Sequence, residues 1–440
     1  MRAFPPLNRE FTCDCGKPHR IAVGQVSINE EAATDLREFL LRRGFLSVLV
    51  IDDATTGEVL GERVLAALAS AGLSVFSLRF AAVNGRHLRA DRSAIDKAVA
   101  AIAEHGVAVV VSVGSGTLTD IARYASFLQD RPFVAMATAP SVDGYASTVA
   151  ALQFDGVKVT RPAQAPLAVF ALPSVLSSAP WSMIQSGFGD LVGKMTALMD
   201  WKLARLLYDE PWCERTYRLV ADAVNRVLEG VAELNERHPQ AVEDLFWGLV
   251  MSGMAMAMAG NSRPASGSEH HLSHYWDFLT YQGKRPYVAH GLQVGYATYV
   301  MLSVYDELQE VGELALPRPE DDHDDAVRQC WGAGADDILR EQRTKAAWLN
   351  QHYQPETWSG MRGDQLIAAL DPEYHQRDRV QAAIRAMGMG PSGETVSVTP
   401  AMLADGLRHA REVRARYTIF DWLSGQDRLE ALIGRLVPCP

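Results

Sequence analysis

The chain has 440 residues, of which nearly half are apolar and 22% are charged, and this composition is typical of a folded protein large enough for two domains. The formal net charge is −11 and no basic stripe interleaved with aromatic residues occurs, so we do not expect nucleic acid as a partner. No apolar run reaches the roughly 20 residues that span a bilayer. The N-terminus lacks the apolar core of a signal peptide, and five scattered cysteines do not make a disulfide framework. We therefore expect a cytoplasmic protein that does not bind a membrane.

Two cysteines lie close together near the N-terminus, in Cys13-Asp14-Cys15-Gly16, and His19 follows. This pattern resembles half of a zinc site, but structural zinc usually takes a second pair of ligands, and none has convincing spacing. We expect a surface turn with two free thiols.

Short apolar strands alternate with helices in the first part of the chain, which predicts a parallel α/β sheet. After Pro173 the pattern becomes helical, and we predict an α/β nucleotide-binding domain at 1–172 and a helical metal- and substrate-binding domain at 173–440. The predicted strands cover 45–51, 73–80, 107–113 and 133–137. The predicted helices cover 59–71, 91–105, 121–128, 181–208, 217–234, 241–259 and 290–310.

Three of the predicted strands end in residues suited to ligand binding, and ligands bind at the carboxyl ends of strands in such sheets. Asp52 ends the first strand, where a carboxylate can accept hydrogen bonds from a ribose. Gly114-Ser115-Gly116-Thr117-Leu118 follows another strand and opens a helix, whose N–H groups suit a pyrophosphate. The pattern is not GxGxxG, and a tight strand–helix turn is the alternative. Thr138, Ser141 and Ser147 follow the last strand, in a polar turn with Asp143.

Four of the twelve histidines fall within 21 residues, at His270, His271, His274 and His290. His270 and His274 are four residues apart and share one face of a helix. Two imidazoles and a carboxylate can hold a divalent metal, and a wet loop or a set of core histidines is the alternative. Asp190, between glycines in Ser186 to Lys194, is the carboxylate partner or else a helix N-cap.

Taken together, GSGTLTD, TAPSVDGYAS, SGFGDLVGK, SRPASGSEHHLSH and HGLQVG resemble motifs of the sn-glycerol-1-phosphate dehydrogenases. The likeness is closest to their bacterial, AraM-type branch, within the superfamily of iron-containing alcohol dehydrogenases and dehydroquinate synthases. It spans roughly residues 40 to 300. The resemblance implies a dehydroquinate synthase-like fold, with a parallel-sheet nucleotide domain followed by a helical metal-binding domain, and a homodimer.

The resemblance also implies roles for single residues. Asp190, His270 and His290 match the metal ligands, and His274, Asp143 and Asp190 match positions at the substrate. His271 does not fit the His-x-x-x-His spacing and is predicted either to lie behind the metal ligands or to be structural. The positions that match the nicotinamide-nucleotide site are Asp52, Gly114, Ser115, Gly116, Thr117, Leu118, Thr138, Ser141 and Ser147.

The reaction implied is the reversible reduction of dihydroxyacetone phosphate to sn-glycerol 1-phosphate with NADH or NADPH and one nickel, zinc or iron ion. Asp52 favours NAD, because it repels a ribose 2′-phosphate. Arg263 is the first candidate to bind the substrate phosphate, since a guanidinium matches phosphate oxygens. The other candidates are Lys158, Lys194, Lys284 and Arg285, and a surface cation or a structural ion pair is the alternative for each of the five. The competing functions are another polyol or aldehyde dehydrogenase of the superfamily, a dehydroquinate-synthase-like lyase, and an inactive binding protein.

Overall fold

The computed structural model describes residues 5–81, 88–154, 157–313, 324–354, 356, 360–426 and 428–437. The chain forms two compact units, and each is made of two segments: Met1–Leu191 with Asn225–Asn261, and Val192–Val224 with Ser262–Pro440. The change from strands to helices at residues 172–173 falls inside the first unit. The change from strands to helices therefore does not coincide with a boundary between the two compact units.

The first unit has a six-stranded sheet in the order β3-β10-β7-β6-β4-β5, and all of its pairings are parallel. Two antiparallel hairpins, β1-β2 and β8-β9, lie outside this sheet. The strands are β1 Glu10–Thr12, β2 Pro18–Arg20, β3 Gln25–Ile28, β4 Ser47–Asp53, β5 Ser74–Phe80, β6 Val109–Gly114, β7 Phe133–Ala137, β8 Val149–Phe154, β9 Val157–Pro162 and β10 Ala168–Ala171.

Helices cover the sheet of the first unit and build the described parts of the second, so the predicted fold class is confirmed. In chain order they are α1 Ala32–Arg42, α2 Ala54–Thr56, α3 Glu62–Ala69, α4 Arg92–His105, α5 Gly116–Leu128, α6 Pro173–Ser178, α7 Trp181–Val192, α8 Lys194–Tyr208, α9 Glu214–Glu229, α10 Val231–Asn235, α11 Pro239–Ala259, α12 Ser268–Tyr281, α13 His290–Tyr305, α14 Asp324–Trp331, α15 Ala335–Gln351, α16 Gly363–Ala369, α17 Arg377–Ala386, α18 Pro400–His409, α19 Ile419–Gly425 and α20 Leu429–Leu436.

The order of the strands marks where a ligand can enter the sheet. From β4 the chain goes to β5 on one side, whereas from β6 it goes to β7 on the other side. The connections that leave β4 and β6 therefore diverge, and a crevice opens at the carboxyl ends of these neighbouring strands. Asp52 and the Gly114–Leu118 segment lie at these two ends, so the topology brings together two sets of residues that are distant in sequence.

Two glycines allow helices to approach the segment 138–147, which follows β7. A Cβ atom on Gly187 of α7 would lie 1.7 Å from the carbonyl oxygen of Pro140. A Cβ atom on Gly253 of α11 would lie 2.8 Å from the carbonyl oxygen of Asp143. Any larger residue would force these helices away from the segment, so both glycines fix its position by close packing.

Helix α11 is long and apolar enough to cross a membrane, by length and composition alone. However, 78% of its most apolar window is buried inside the protein. Such burial is expected of the core helix of a folded domain, which can be apolar on all sides.

We expect Gly187→Ala to destabilise the first unit. In the interior of a helix, alanine is normally favoured over glycine by about 1 kcal/mol. Here the new methyl group must displace the backbone at Pro140, so we expect the free energy of unfolding to fall by about 1–3 kcal/mol, as in other overpacked cores.

Gly434→Ala is the matched control, because Gly434 lies in helix α20 and a Cβ atom added there would meet no described atom within 4 Å. Urea unfolding of both variants checks the sign of each effect. Equal stability of the two variants would contradict the close approach of α7 to Pro140.

Candidate active site

Three histidines of the second unit form one cluster. His270 and His274 lie one turn apart on α12, and His290 is the first residue of α13. Their ring centroids are 6.2 Å apart for His270 and His274, 5.2 Å for His270 and His290, and 5.8 Å for His274 and His290. Ring nitrogens of His270 and His290 lie within 4.8 Å of each other, close enough for both to bind one metal ion. The three residues belong to helices, which disfavours the wet-loop alternative.

Glu269 fixes the orientation of the His270 ring. Its carboxylate oxygen Oε1 is 2.6 Å from Nδ1 of His270, and its Oε2 accepts a hydrogen bond of 2.6 Å from the hydroxyl of Thr196. Burial alone would raise the pKa of Glu269, but the hydrogen bonds from His270, Thr196 and the Gly267 amide outweigh it and lower this pKa. The anionic carboxylate keeps the ring proton on Nδ1, so that Nε2 carries the lone pair. A carboxylate behind a histidine is a common arrangement at metal sites.

The other two rings of the cluster have partners on their own helices or the adjacent one. The hydroxyl of Ser273 lies 3.1 Å from Nδ1 of His290. Nδ1 of His274 lies 3.9 Å from the carboxylate of Asp277, which also accepts a hydrogen bond of 2.8 Å from Gln293. The hydrogen bond with Ser273 orients the His290 ring, whereas Asp277 is close enough to His274 for an ion pair when that ring is protonated.

His271 is separate from the cluster, although it is the neighbour of His270 in sequence. Its side chain is fully buried, and burial lowers its pKa well below the usual value, so the ring is neutral. Within the described residues, no ring contact joins it to the other three histidines. These observations support the structural role predicted for His271.

The start of α12 is held by the buried carboxylate of Asp200. It accepts hydrogen bonds from the amides of Ser268 and Ile419, at 2.6 and 2.8 Å, and one of 2.8 Å from the hydroxyl of Tyr305. Burial and the nearby charge of Glu269 raise the pKa of Asp200 to about 6.

Arg263 is 2% exposed and forms an ion pair of 2.8 Å with Glu210. It also donates to the carbonyl oxygens of Asp200 and Tyr417, at 3.0 and 2.7 Å. Its positive charge lowers the pKa of Asp200 and thus offsets part of the cost of burying that acid. These contacts favour the structural ion pair over a phosphate contact for Arg263.

In the first unit, Asp190 and Asp143 are linked. Asp190 is 1% exposed near the end of α7, and its carboxylate accepts a hydrogen bond of 3.0 Å from the amide of Asp143. The carboxylate of Asp143 in turn accepts a hydrogen bond of 2.9 Å from Ser252 on α11. Asp190 lies in the last turn of its helix, so it is not an N-cap.

The segment 138–147 depends on a buried arginine that the sequence did not single out. Arg123 of α5 is fully buried and donates to the carbonyl oxygens of Tyr145 and Val149, at 3.1 and 3.0 Å. Within the segment, Thr138, Ser141 and Ser147 are all buried. The hydroxyl of Ser147 accepts from the amide of Val149, and the carbonyl oxygen of Ser141 accepts from Ser186. Much of this polar chemistry therefore holds the segment itself in place.

The glycine turn has a packing role that is visible in the structure. A Cβ atom on Gly114 would lie 2.4 Å from the side chain of Leu118, and one on Gly116 would lie 2.9 Å from Val142. Helix α5 begins at Gly116, so the amides of Thr117 and Leu118 belong to its first turn. Ser115 stands in the N-cap position without a capping hydrogen bond from its side chain. The turn is thus tight and also presents a helix N-terminus at the crevice.

Asp52 faces an arginine on the neighbouring strand. Its carboxylate is fully buried, and its two oxygens accept hydrogen bonds of 2.8 and 2.9 Å from Arg79 of β5. Arg79 also pairs with Glu62 at 2.7 Å. The hydrogen bond with Asp52 raises the pKa of Arg79 most, and the one with Glu62 raises it further, so the guanidinium stays charged. A Cβ atom on Gly61 would lie 2.3 Å from Asp52, so this glycine makes room for the pair.

The residues that sequence reasoning missed are those that hold others in place, namely Arg79, Arg123, Thr196, Asp200, Ser252, Glu269 and Asp277. Glu269 had a signal, because it stands directly before His270. The remainder act mostly across long separations in sequence, such as Thr196 with Glu269, and nothing in a single sequence marks such pairs.

Comparison with known proteins shows the family to which the chain is related. Residues 27–180 match the model of the family described as iron-containing alcohol dehydrogenase. A glycerol-1-phosphate dehydrogenase (NAD(P)+) from Halalkalibacterium halodurans is 39% identical over 296 residues, which cover 67% of this chain and 73% of the relative. One of the same name from Bacillus licheniformis is 34% identical over 425 residues, which cover 96% of this chain and 94% of the relative.

Among solved structures, a probable glycerol dehydrogenase from Sinorhizobium meliloti is similar, with a TM-score of 0.61. The alignment covers 94% of this chain and 98% of the Sinorhizobium meliloti chain at 16% identity, so this likeness concerns the fold alone.

We expect Glu269→Gln to weaken metal binding at the histidine cluster. The amide keeps the shape of the side chain but removes the charge that holds the proton on Nδ1 of His270, and changes of this kind typically cost about 10–100-fold in metal affinity. Isothermal titration of Ni²⁺ into chelator-treated protein measures the loss. Glu412→Gln is the matched control, because Glu412 is another buried acid of the second unit and accepts from Trp331. Equal affinities of the two variants would contradict the role of Glu269.

Proposed function

The chain belongs to the glycerol-1-phosphate dehydrogenase family, and we propose that it reduces dihydroxyacetone phosphate to sn-glycerol 1-phosphate with NADH or NADPH. The observation that carries the proposal is the cluster of His270, His274 and His290, in which Glu269 orients the His270 ring. The relatives named above supply the substrate and the cofactor class.

We assign one divalent metal to Asp190, His270 and His290. Two imidazoles and one carboxylate suit nickel, zinc and iron alike, so the donor set fits the ion without selecting it. The Glu269–His270 hydrogen bond is the arrangement expected behind a metal-bound histidine. When bound, the ion supplies a Lewis acid that stabilises negative charge on the carbonyl oxygen of the substrate.

The protein's own residues align the reactants and move the proton. When bound, NAD(P)H would supply the hydride for C2 of the substrate, and His274 would donate the proton that the reduced oxygen takes up. The carboxylate of Asp277 lies 3.9 Å from Nδ1 of His274 and would stabilise the positive charge of the protonated ring. Asp143 hydrogen-bonds a substrate hydroxyl, and its amide keeps the Asp190 carboxylate in place. Ser252 in turn orients the Asp143 carboxylate.

The residues at the ends of β4 and β6 would hold the nucleotide, and the free amides in the first turn of α5 suit its pyrophosphate. Asp52, Gly114, Ser115, Gly116, Thr117, Leu118, Thr138, Ser141 and Ser147 stay predicted to line this site. For Asp52, the Arg79 ion pair changes the expected preference. Because both of its oxygens accept from Arg79, its charge is offset and repels a 2′-phosphate less. We propose that this pair permits the use of NADPH beside NADH.

Two further assignments rest on the resemblance and the composition, and a third rests on the match between a guanidinium and a phosphate. We propose a homodimer and a cytoplasmic location, the latter supported by Cys13, Cys15, Cys213 and Cys330, which form no disulfide. Arg263 stays a predicted contact of the substrate phosphate, although its contacts with Glu210 and two carbonyl oxygens favour the structural alternative.

The proposed reaction is tested by the oxidation of NADH with dihydroxyacetone phosphate. We expect turnover to stop after chelation and to return on addition of Ni²⁺, Zn²⁺ or Fe²⁺, because the ion stabilises the charge that develops on the substrate. Unphosphorylated dihydroxyacetone tests the need for the phosphate. A product that an sn-glycerol-3-phosphate-specific dehydrogenase does not oxidise indicates the sn-1 isomer. Absence of net NADH consumption, or a turnover rate that does not change on chelation, would contradict the proposal.

The Arg79 proposal predicts a shift in cofactor preference. Arg79→Ala leaves the charge of Asp52 without its partner, so we expect kcat/KM with NADPH to fall about tenfold relative to NADH, which corresponds to about 1.4 kcal/mol. Steady-state kinetics with both cofactors measure the ratio. Arg63→Ala is the control, since Arg63 lies on α3, the helix before β5, and donates to the carbonyl oxygen of Glu30. An unchanged ratio in Arg79→Ala would show that the pair does not govern preference.

A further inference from the structure

The N-terminal hairpin carries a second group of potential metal ligands. Cys13 and Cys15 lie in the turn between β1 and β2, and His19 lies on β2 opposite Phe11. The two sulfur atoms and a ring nitrogen of His19 all lie within 4.8 Å of one another. None of these residues takes part in the site proposed above.

The orientation of His19 is the one that a metal-binding histidine needs. Its Nδ1 is 2.7 Å from the carbonyl oxygen of Met258. A carbonyl oxygen only accepts, so Nδ1 carries the proton and Nε2 carries the lone pair. Nε2 is 3.2 Å from the sulfur of Cys15. A backbone carbonyl that fixes the tautomer in this way is a recurring second partner of histidine ligands.

The hairpin is also unusual in which of its side chains is buried. Among residues 5–20, His19 alone is buried, at 3% exposure, while every apolar residue of this segment remains at least partly exposed. The two strands have three residues each, and an isolated hairpin of this size has little stability in water. A short segment without an apolar core commonly depends on a metal or a disulfide. Cys13 and Cys15 form no disulfide.

The turn places the two thiols together. The amide of Gly16 donates to the carbonyl oxygen of Cys13 at 3.0 Å, and Gly16 has a φ of +77°, which glycine adopts without strain. The chain therefore reverses direction directly after Cys15, and β2 brings His19 close to the two sulfur atoms.

We propose that Cys13, Cys15 and His19 bind a zinc ion that staples the N-terminal hairpin. Thiolate and imidazole are the ligands that zinc takes in structural sites, and a fourth ligand completes the tetrahedron. On binding, each thiol releases its proton to solvent, and Nε2 of His19 donates its lone pair. The site needs no redox step, and the proposal does not depend on the proposed reaction.

Metal analysis of the full-length protein tests the proposal. We expect the Cys13→Ser/Cys15→Ser double variant to contain one zinc ion per chain fewer than the wild type. Cys330→Ser is the matched control, since Cys330 is another partly exposed cysteine outside any disulfide, and it should lose none. Equal zinc content in the double variant and the wild type would overturn the proposal.

Cobalt separates this site from the histidine cluster. Thiolate-to-cobalt charge transfer gives an absorption band that the Asp190, His270 and His290 set cannot produce, because that set has no sulfur. In Co²⁺-loaded protein the band should persist in His270→Ala and vanish in Cys13→Ser/Cys15→Ser. Absence of the band in the wild type would overturn the zinc site and leave the proposed reaction untouched.

A measurement on the wild-type chain guards against a double variant that fails to fold. Bound zinc should slow alkylation of Cys13 and Cys15, and a chelator should restore it, while alkylation of Cys330 should not change. Mass spectrometry of the peptides reads each thiol separately. Thiols that react equally with and without chelator, or only after a reductant is added, would overturn the proposal, and the latter result would indicate a disulfide.

Discussion

The buried carboxylate of Asp200 is the constraint on which the histidine cluster depends. It is bonded to the amides that begin α12 and α19 and to the Tyr305 hydroxyl at the end of α13. The two helices that carry the histidines are thus tied to one acid. A buried carboxylate is costly unless several donors satisfy it, and here three donors and the charge of Arg263 do so. Loss of any one of these partners would loosen the base of the cluster.

Gly267 shows how closely the backbone packs around the Asp200 carboxylate. A Cβ atom there would lie 2.5 Å from the carboxylate of Asp200 and 2.7 Å from the Cα atom of Ala197. The backbone before α12 therefore lies against α8, which also supplies Thr196 to Glu269. The residues around the cluster act in a chain, in which Asp200 fixes the helix, Glu269 fixes the ring, and the ring presents its Nε2 atom.

The sequence predicted the sheet well because its central strands are continuous apolar runs. Strand β7 has the predicted bounds, and β6 differs by one or two residues at each end. The four-residue strands β3 and β10 were missed, since a run of that length has no distinctive period. The predicted helix 181–208 is divided at Gly193, between α7 and α8. Helix α5 begins at Gly116, five residues before its predicted start, because apolar spacing alone does not show the polar first turn.

The candidate site was predictable as far as chemistry shows in residue types. The spacing of His270 and His274 matches one face of α12, and the glycine turn at residue 114 lies between β6 and α5. Partners in space were not predictable, and they changed the meaning of two residues. Asp52 is paired with Arg79 on the adjacent strand, and Arg263 is paired with Glu210. In both cases a charge that the sequence leaves available to a ligand forms an ion pair within the same compact unit.

The discontinuous course of the chain has a consequence for how such a protein can be rearranged. The backbone passes between the two compact units three times, after residues 191, 224 and 261. A single cut or fusion point therefore cannot separate them, because the segment 225–261 returns α11 to the sheet-bearing unit. Exchange of the C-terminal part with a homologous gene by a single crossover between residues 191 and 225 would leave α11 beside a foreign partner at Gly253. Inheritance of the two units as one piece is the expected outcome.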